Sequence, residues 1–266
     1  MEWESPWAKK SYPGWHIECS AMGTKYLGDK IDIHTGGEDH ISIHHTNERA
    51  QNIAATGHSV VNLWFHNVFL VIDGRKMSKS LKNFFWRKDI EERGFELLAL
   101  RYLFLTGHYR SKMNFTWEAL KGAAVSLNKL RELVASWREE KGRKTLTEED
   151  ERKIAQYKEE FLAAINQDLN IPQALAVVWQ LAKSSVSSQE KLDLILDFDQ
   201  VLGLRLSAQT KVKLTVPEEI NKLVEEREEL RKQGKWQEAD EIRKEIEKAG
   251  FKIEDTEKGS KIKRFK

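Results

Sequence analysis

The chain has 266 residues, which at roughly 150 residues per domain makes about two domains, each long enough to bury a core. Its 44 Lys+Arg against 42 Asp+Glu leave a formal charge of +2, and 40% hydrophobic with 32% charged residues excludes a disordered or collagen-like chain. One cysteine cannot form an internal disulfide, no apolar run is long enough to span a membrane, and the start lacks the apolar core of a signal peptide, so a cytoplasmic location is expected.

Trp3, Trp7 and Trp15 crowd the first residues among charges, where a free terminus is ordinarily small and polar. The pattern reads as a chain that begins inside a domain. From Trp15 to about Phe85, short β-rich runs (Ile31 to His34, Phe65 to Ile72) alternate with helix-like stretches and carry seven of the eight histidines. That alternation predicts an α/β region, and the histidines point to chemistry there.

Two groups in this region carry the signal. In the first, His44 and Glu48 lie four apart, so on a helix they share one face, and Cys19 stands upstream in Trp15-His16-Ile17-Glu18-Cys19. A thiolate, an imidazole and a carboxylate form a mixed donor set that suits zinc better than calcium or magnesium. Spacing alone leaves another reading open, with Cys19 a buried helix residue and His44 and Glu48 a surface pair. In the second group, Lys76-Met77-Ser78-Lys79-Ser80 follows the apolar run Val68 to Ile72, which predicts a strand leading into a loop. Two ammonium groups three residues apart among small hydroxyl residues can fold onto a polyphosphate and stabilise charge on departing pyrophosphate. An ordinary basic surface loop is the bland alternative.

From about Asp89 to Leu204 the periodicity is helical: Leu120, Ala124, Leu127, Leu130, Val134 and Trp137, then Leu192, Ile195, Leu196, Val201 and Leu202, recur as on one helix face. Thr147 with Asp150 predicts a capped helix start, and Pro172 after Asn170-Ile171 suits a first helical turn before Leu175, Val178 and Leu181. Ser207 to Val216 reads as a linker. Beyond Pro217, helices Glu218 to Gln233 and Trp236 to Ala249, broken at Gly234, precede short strands at Phe251 to Glu254 and Lys261 to Phe265. The near-neutral charge gives no global nucleic-acid footprint, but the Arg138 to Lys144 and Lys258 to Lys266 stretches can meet phosphates, with Trp236 or Phe265 stacking a base. A solvated hairpin of mixed charge is the competing reading for the terminal helices.

Lys76-Met77-Ser78-Lys79-Ser80 resembles the second signature of class I aminoacyl-tRNA synthetases, and Pro13-Gly14-Trp15-His16-Ile17-Glu18-Cys19-Ser20-Ala21-Met22 is similar to a segment of cysteinyl-tRNA synthetases. The resemblance continues through Gly36-Gly37-Glu38-Asp39, His44-His45-Thr46-Asn47-Glu48 and His108-Tyr109-Arg110-Ser111 to the terminal helices and hairpin. It implies an α/β fold followed by all-α structure: the second half of a class I, Rossmann-like catalytic domain at 1–88, a connecting helical segment at 89–117, a helical tRNA-binding bundle at 118–205, a linker at 206–216 and a small α+β anticodon-recognition module at 217–266. It further implies one zinc ion per chain on Cys19, His44 and Glu48, selecting the sulfur of L-cysteine against serine. Trp15 and His16 would line the substrate pocket, Gly36 and Gly37 would admit the nucleotide, Asp39 would bind ribose, and Lys76 and Lys79 would hold the phosphates of ATP, used with Mg2+. The expected partners are tRNA-Cys, L-cysteine and ATP, and no membrane.

A complete family member also carries a His-Ile-Gly-His-type signature and a further zinc-binding cysteine upstream, and neither occurs in these residues. Tyr12 stands where members often have Arg, and Ile41-Ser42-Ile43 replaces an aromatic-proline run. The expectation is therefore a cysteine–tRNA ligase present as a fragment or split subunit that needs a separate N-terminal half, with an exposed sheet edge where that half belongs. A non-catalytic tRNA-binding derivative and a tRNA-independent cysteine ligase are the alternatives. The intact lysine and zinc motifs weigh against the first, and residues 205–266 against the second.

Overall fold

The computed structural model describes residues 2–12, 14–140, 142, 145–208, 218–248, 251–256 and 259–264. The chain divides into two compact units: Met1–Phe85, Arg101–Leu120 and Thr145–Val186 form the first, and Trp86–Leu100, Lys121–Lys144 and Ser187–Lys266 the second. Among the described residues no helix is long and apolar enough to cross a membrane.

The first unit is α/β. Helix α1 (Ile17–Leu27) is followed by β1 (Ile31–Gly37), a 3-10 turn (Glu38–His40), α2 (His44–Thr56) and β2 (Val61–Asn67). β1 and β2 pair in parallel, Ile31 opposite Val61 and Gly36 opposite His66, so α2 is the crossover that parallel pairing demands. Gly57, at φ 81°, ends α2 in the left-handed conformation that costs glycine least. Ile31, Val60 and Val61 form a buried cluster with Trp64 against it. Further along the same sheet face, the paired Ile33 and Leu63 are 59% and 53% exposed, unlike the two-sided burial usual for parallel strands.

The run Phe65 to Ile72, expected as one strand, is two: the chain leaves β2 at Asn67 and re-enters a different sheet as β3 (Leu70–Ile72). β3 turns at Asp73-Gly74, both at positive φ, into β4 (Arg75–Lys76), and pairs in parallel on its other side with β5 (Met113–Phe115). A two-residue Asp-Gly connection is a strong hairpin signal, because both turn residues tolerate positive φ. The lysine motif therefore leaves a hairpin rather than a lone strand.

Helices α6 (Glu148–Asn166) and α7 (Ile171–Lys183) complete this unit. Thr147 caps α6, its hydroxyl accepting from Asp150 N–H at 3.2 Å while the Asp150 carboxylate accepts from Thr147 N–H at 3.1 Å. Asn170 caps α7, Pro172 sits in its first turn, and Leu175, Val178 and Leu181 are buried as their spacing predicts.

The second unit is helical with a small α+β end. It takes α3 (Arg87–Glu92), the first part of α4 (Leu97–Leu105), most of α5 (Trp117–Glu139), α8 (Ser188–Leu202), α9 (Glu218–Lys232), α10 (Trp236–Lys248) and the antiparallel strands β6 (Phe251–Thr256) and β7 (Gly259–Arg264). Leu127, Leu130, Val134 and Trp137 of α5 are buried, as are Leu192 and Ile195 of α8. Val201 is 45% exposed, and Phe198 takes the buried position instead, because the α8 stripe follows 192, 195, 198 and 202. Buried Asp199 accepts from Leu204 N–H and Leu206 N–H, both at 2.7 Å, so its charge closes the helix end.

Arg138 donates to the carbonyls of Leu206 and Ser207 at 3.0 and 2.9 Å, which makes it a chain tie rather than a free phosphate contact. In the terminal module, Ile220, Val224, Ile246, Phe251 and Ile253 form one core. Its strands are longer than the sequence suggests, and Lys258 and Phe265 lie outside the described residues, as do most of the expected linker and Pro217.

Candidate metal centre and phosphate loop

Two helix starts meet to form the first cluster. His16 precedes α1 at φ 71°, and Cys19 falls in the first turn of that helix. His44 opens α2, and Glu48 one turn later is 1% exposed. Ser20 donates to Gln51 Oε1 at 3.3 Å and Gln51 donates to the Trp15 carbonyl at 2.9 Å, which ties the two helices at this point. One ligand atom each from Cys19, His44 and Glu48 lies within 4.8 Å of the others, and the same holds for His34, His45 and Glu48.

The carboxylate of Glu48 joins the two groups. His44 Nε2 is 2.6 Å from Oε1, and His34 Nε2 is 3.1 Å from Oε2. Oε1 is nevertheless buried without a hydrogen bond. Imidazole and carboxylate thus meet side by side rather than along an N–H axis, which is how two donors approach one cation. A buried carboxylate oxygen without a hydrogen bond is costly, and a metal ion would remove that cost.

A shell of imidazoles surrounds this point. His45 Nδ1 is 2.7 Å from His66 Nε2, and the rings of His34 and His45 stand 4.7 Å apart. Burial, with the neighbouring His34, His66, His40 and His44, lowers the pKa of His45 to about 4. Burial likewise lowers that of His66, with smaller contributions from His40, His34 and Arg110. Both rings are therefore neutral near pH 7 and able to use a lone pair. Burial and then the Glu48 carboxylate push the Cys19 thiol pKa up, a tendency that a divalent cation beside the sulfur would reverse.

His34 and His66 are functional candidates that local spacing does not reveal. His34 in β1 and His66 in β2 come to the α2 side of the sheet through the parallel register, in which His34 faces Trp64 and Gly36 faces His66. The histidine crowding of the sequence was their only signal.

The glycines and Asp39 lie at the end of β1. A Cβ on Gly36 would sit 2.5 Å from His45 Cε1 and 2.8 Å from His40 Nδ1, so the imidazole shell itself requires glycine there. On Gly37 a Cβ would meet Asp39 Oδ1 at 2.5 Å, because that carboxylate folds back over the backbone. Trp15 is 82% exposed, its ring 5.8 Å from that of His16, and His16 reaches His44 by a short Nδ1 to Nδ1 contact.

The lysine loop is in the same unit and is held by one asparagine. Asn83 accepts from Ser78 N–H at 2.9 Å and donates to the Lys76 carbonyl at 3.0 Å, while Ser78 Oγ accepts from Leu81 N–H at 3.2 Å. The backbone is thereby shaped while the side chains of Lys76 and Lys79 stay exposed. In the second unit, Trp236 is 60% exposed, with the Arg231 guanidinium 5.7 Å from its ring centroid.

Comparison with known proteins settles the relationship. Residues 1–125 match the family model described as tRNA synthetases class I (C) catalytic domain, and residues 215–261 match the cysteinyl-tRNA ligase anticodon binding domain. The chain is 44% identical, over 98% of its length, to cysteine–tRNA ligase 1 of Burkholderia lata. The chain belongs to the cysteine–tRNA ligase family. Cysteine–tRNA ligases of Treponema denticola and Chlamydia muridarum are 41% and 39% identical over 96% and 99% of the chain. The chain spans 54%, 56% and 58% of the length of these three relatives, or a little over half. A LeuRS–tRNA–LeuAMS ternary complex from Agrobacterium radiobacter shares the fold, with a TM-score of 0.57 and 16% identity over 78% of this chain and 32% of its own. The candidate metal cluster and the lysine loop both fall inside the stretch matched by the catalytic model.

Proposed function

We propose that this chain supplies the metal site, the phosphate loop and the tRNA-binding part of a cysteine–tRNA ligase, which activates L-cysteine with ATP and transfers it to tRNA-Cys in the cytoplasm. The observation that carries the reading is the convergence of a thiol, an imidazole and a buried carboxylate oxygen without a hydrogen bond within 4.8 Å. Cys19, His44 and Glu48 would hold one zinc ion, a mixed thiolate, imidazole and carboxylate set that the surrounding imidazoles complement. Bound there, zinc would supply an affinity for the thiol of the amino acid that the hydroxyl of serine cannot match.

The remaining steps belong to side chains. Trp15 and His16 would border the amino acid, with Asp39 and the glycines of β1 beside the nucleotide. Lys76 and Lys79, free of ion pairs among the described contacts, would neutralise ATP phosphates as the substrate carboxylate attacks the α-phosphorus and pyrophosphate departs, with Mg2+ accompanying the nucleotide. Residues 118–205 would grip the tRNA arm and 217–266 the anticodon. The anticodon-domain match supports tRNA over a sugar amine as acceptor.

The His-Ile-Gly-His-type signature is not among these residues, so activation would require a polypeptide that carries it. The exposed Ile33 and Leu63 on the parallel pair support a surface that such a polypeptide covers. The test is cysteine-dependent ATP–pyrophosphate exchange by the chain with a polypeptide carrying that signature, with zinc measured by elemental analysis. Exchange only on mixing, with about one zinc per chain, is expected. A metal-free chain that stays silent on mixing would overturn the reading in favour of a non-catalytic tRNA-binding protein.

A further inference from the structure

The turn between α6 and α7 holds two successive residues, Asp168 and Leu169, at φ 52° and 54°. Neither is glycine, and a left-handed pair of this kind persists only where its surroundings determine it. Three consecutive side chains do so. His108 Nε2 is 2.9 Å from the Asp168 carbonyl, Tyr109 donates its hydroxyl hydrogen to the Asp168 carboxylate, and Arg110 Nε meets the same carboxylate at 2.7 Å.

From Tyr109 the contacts lead to the lysine loop without a gap. Its carbonyl accepts from Val68 N–H at 2.9 Å, and its ring stacks on Phe65 at 4.2 Å. β3 begins two residues after Val68 and pairs with both β5 and β4. Asn114 of β5 accepts from Gly74 N–H at 2.8 Å, fixing the hairpin turn, and Lys76 at the end of the hairpin is held by Asn83. Leu169 and Ile171 border, with Val68, Leu70 and Met113, a cavity of about 350 Å³. The cavity lies at the Val68–Leu70 end of β3, whereas Ile72 at the hairpin end is buried and the whole strand pairs with β5, so the Tyr109 contact to Val68 holds the end of the strand that packing leaves open.

We propose that Asp168 is a positioning residue for the Lys76–Lys79 loop, acting through Tyr109, β3 and the β3–β4 hairpin. The inference rests on reading that loop as the ATP-phosphate loop. It gives the turn between α6 and α7, within the region assigned above to tRNA binding, a hold on the nucleotide end of the site through that relay. Coupling of this kind counts as established only when both ends respond to a change in the element between them.

Two measurements test it. In the exchange assay with the signature-bearing polypeptide, Asp168→Asn is expected to raise the KM for ATP roughly tenfold, leaving the KM for cysteine within about twofold. Arg110→Gln should act in the same direction, and the double variant should be no worse than the stronger single one. In the chain alone, trypsin cleavage after Lys76 and Lys79, followed by mass spectrometry, should be several-fold faster in Asp168→Asn. Equal rises in both KM values, or unchanged cleavage at the loop, would overturn the proposal. A silent wild type whose loop cleavage still responds to Asp168→Asn would refute the ATP reading and leave the mechanical coupling standing.

Discussion

Glu48 Oε1 lies 2.6 Å from His44 Nε2 and accepts no hydrogen bond, while Glu48 Oε2 lies 3.1 Å from His34 Nε2. One carboxylate thus faces a ligand-type neighbour on one oxygen and an orienting neighbour on the other. The two histidines should behave differently. His44→Ala removes a donor and should leave the protein without stoichiometric zinc. His34→Ala leaves Cys19, His44 and Glu48 in place, removes the imidazole 3.1 Å from Glu48 Oε2, and should weaken zinc roughly 10- to 100-fold if His34 orients that carboxylate. Competition against a chromophoric chelator separates the two outcomes, and equal zinc affinity in His34→Ala and wild type would refute the orienting role.

Gly36 is confined by imidazoles rather than by open space. Of the two rings in its way, that of His40 packs against those of His44 and His45, and His45 is 5% exposed and paired with His66. Gly36→Ala should therefore destabilise the protein by about 1–3 kcal/mol, as overpacking does, and lower zinc affinity at the same time. Urea unfolding midpoints with and without a chelator measure both effects. Loss of stability with unaltered zinc binding would show that the shell moves independently of the ligands.

Lys76 and Lys79 can be removed without disturbing the fold, because both side chains are exposed and the loop is shaped by Asn83 and Ser78. Lys79→Ala should lower the rate of cysteine-dependent exchange by roughly 100-fold, the usual scale for losing one group that stabilises developing charge. Its unfolding midpoint and zinc content should match wild type. A change in zinc content would mean that the loop and the metal cluster are structurally linked.

The Asp168 clamp has a defined pH signature. Its carboxyl pKa is held below the ordinary 3.8, chiefly by the hydrogen bond from Tyr109 and then by Arg110. A depressed folded-state pKa contributes stability that is present above 3.8 and is lost as pH falls through the folded-state value. Wild type and Asp168→Asn should therefore differ by a constant amount at neutral pH, and the difference should shrink in acid. Because the pair is half exposed, the difference should be small and should fall with added salt. A difference that grows in acid would contradict this assignment.

Local chemistry was legible in the sequence, and long-range chemistry was not. Thr147 with Asp150, Asn170 with Pro172, and the one-face spacing of His44 and Glu48 are each decided within one helical turn, so their readings needed no tertiary information. His34 and His66 come together only through strand register, which no local spacing encodes. The break between β2 and β3 was hidden because Val68 and Phe69 are as apolar as the strands they separate. The left-handed Asp168-Leu169 turn gave no signal at all, since neither residue is glycine and the groups that hold it stand about sixty residues earlier.

Trp236 offers the cleanest separation of tRNA binding from amino-acid activation. It opens α10, is 60% exposed, and carries the Arg231 guanidinium 5.7 Å from its ring centroid. A large aromatic surface left in water contributes little to folding but suits a nucleobase, which can stack on the ring. Trp236→Ala should weaken binding of tRNA-Cys by about 1–3 kcal/mol, the cost of one lost base stack. The residue lies in the terminal helices, outside the stretch matched by the catalytic model, so cysteine-dependent exchange should be unaffected. Filter binding at fixed ionic strength provides the first number and exchange the second. If tRNA affinity does not change, the terminal helices form the solvated hairpin of mixed charge that their composition also allows, and recognition must lie elsewhere in the chain.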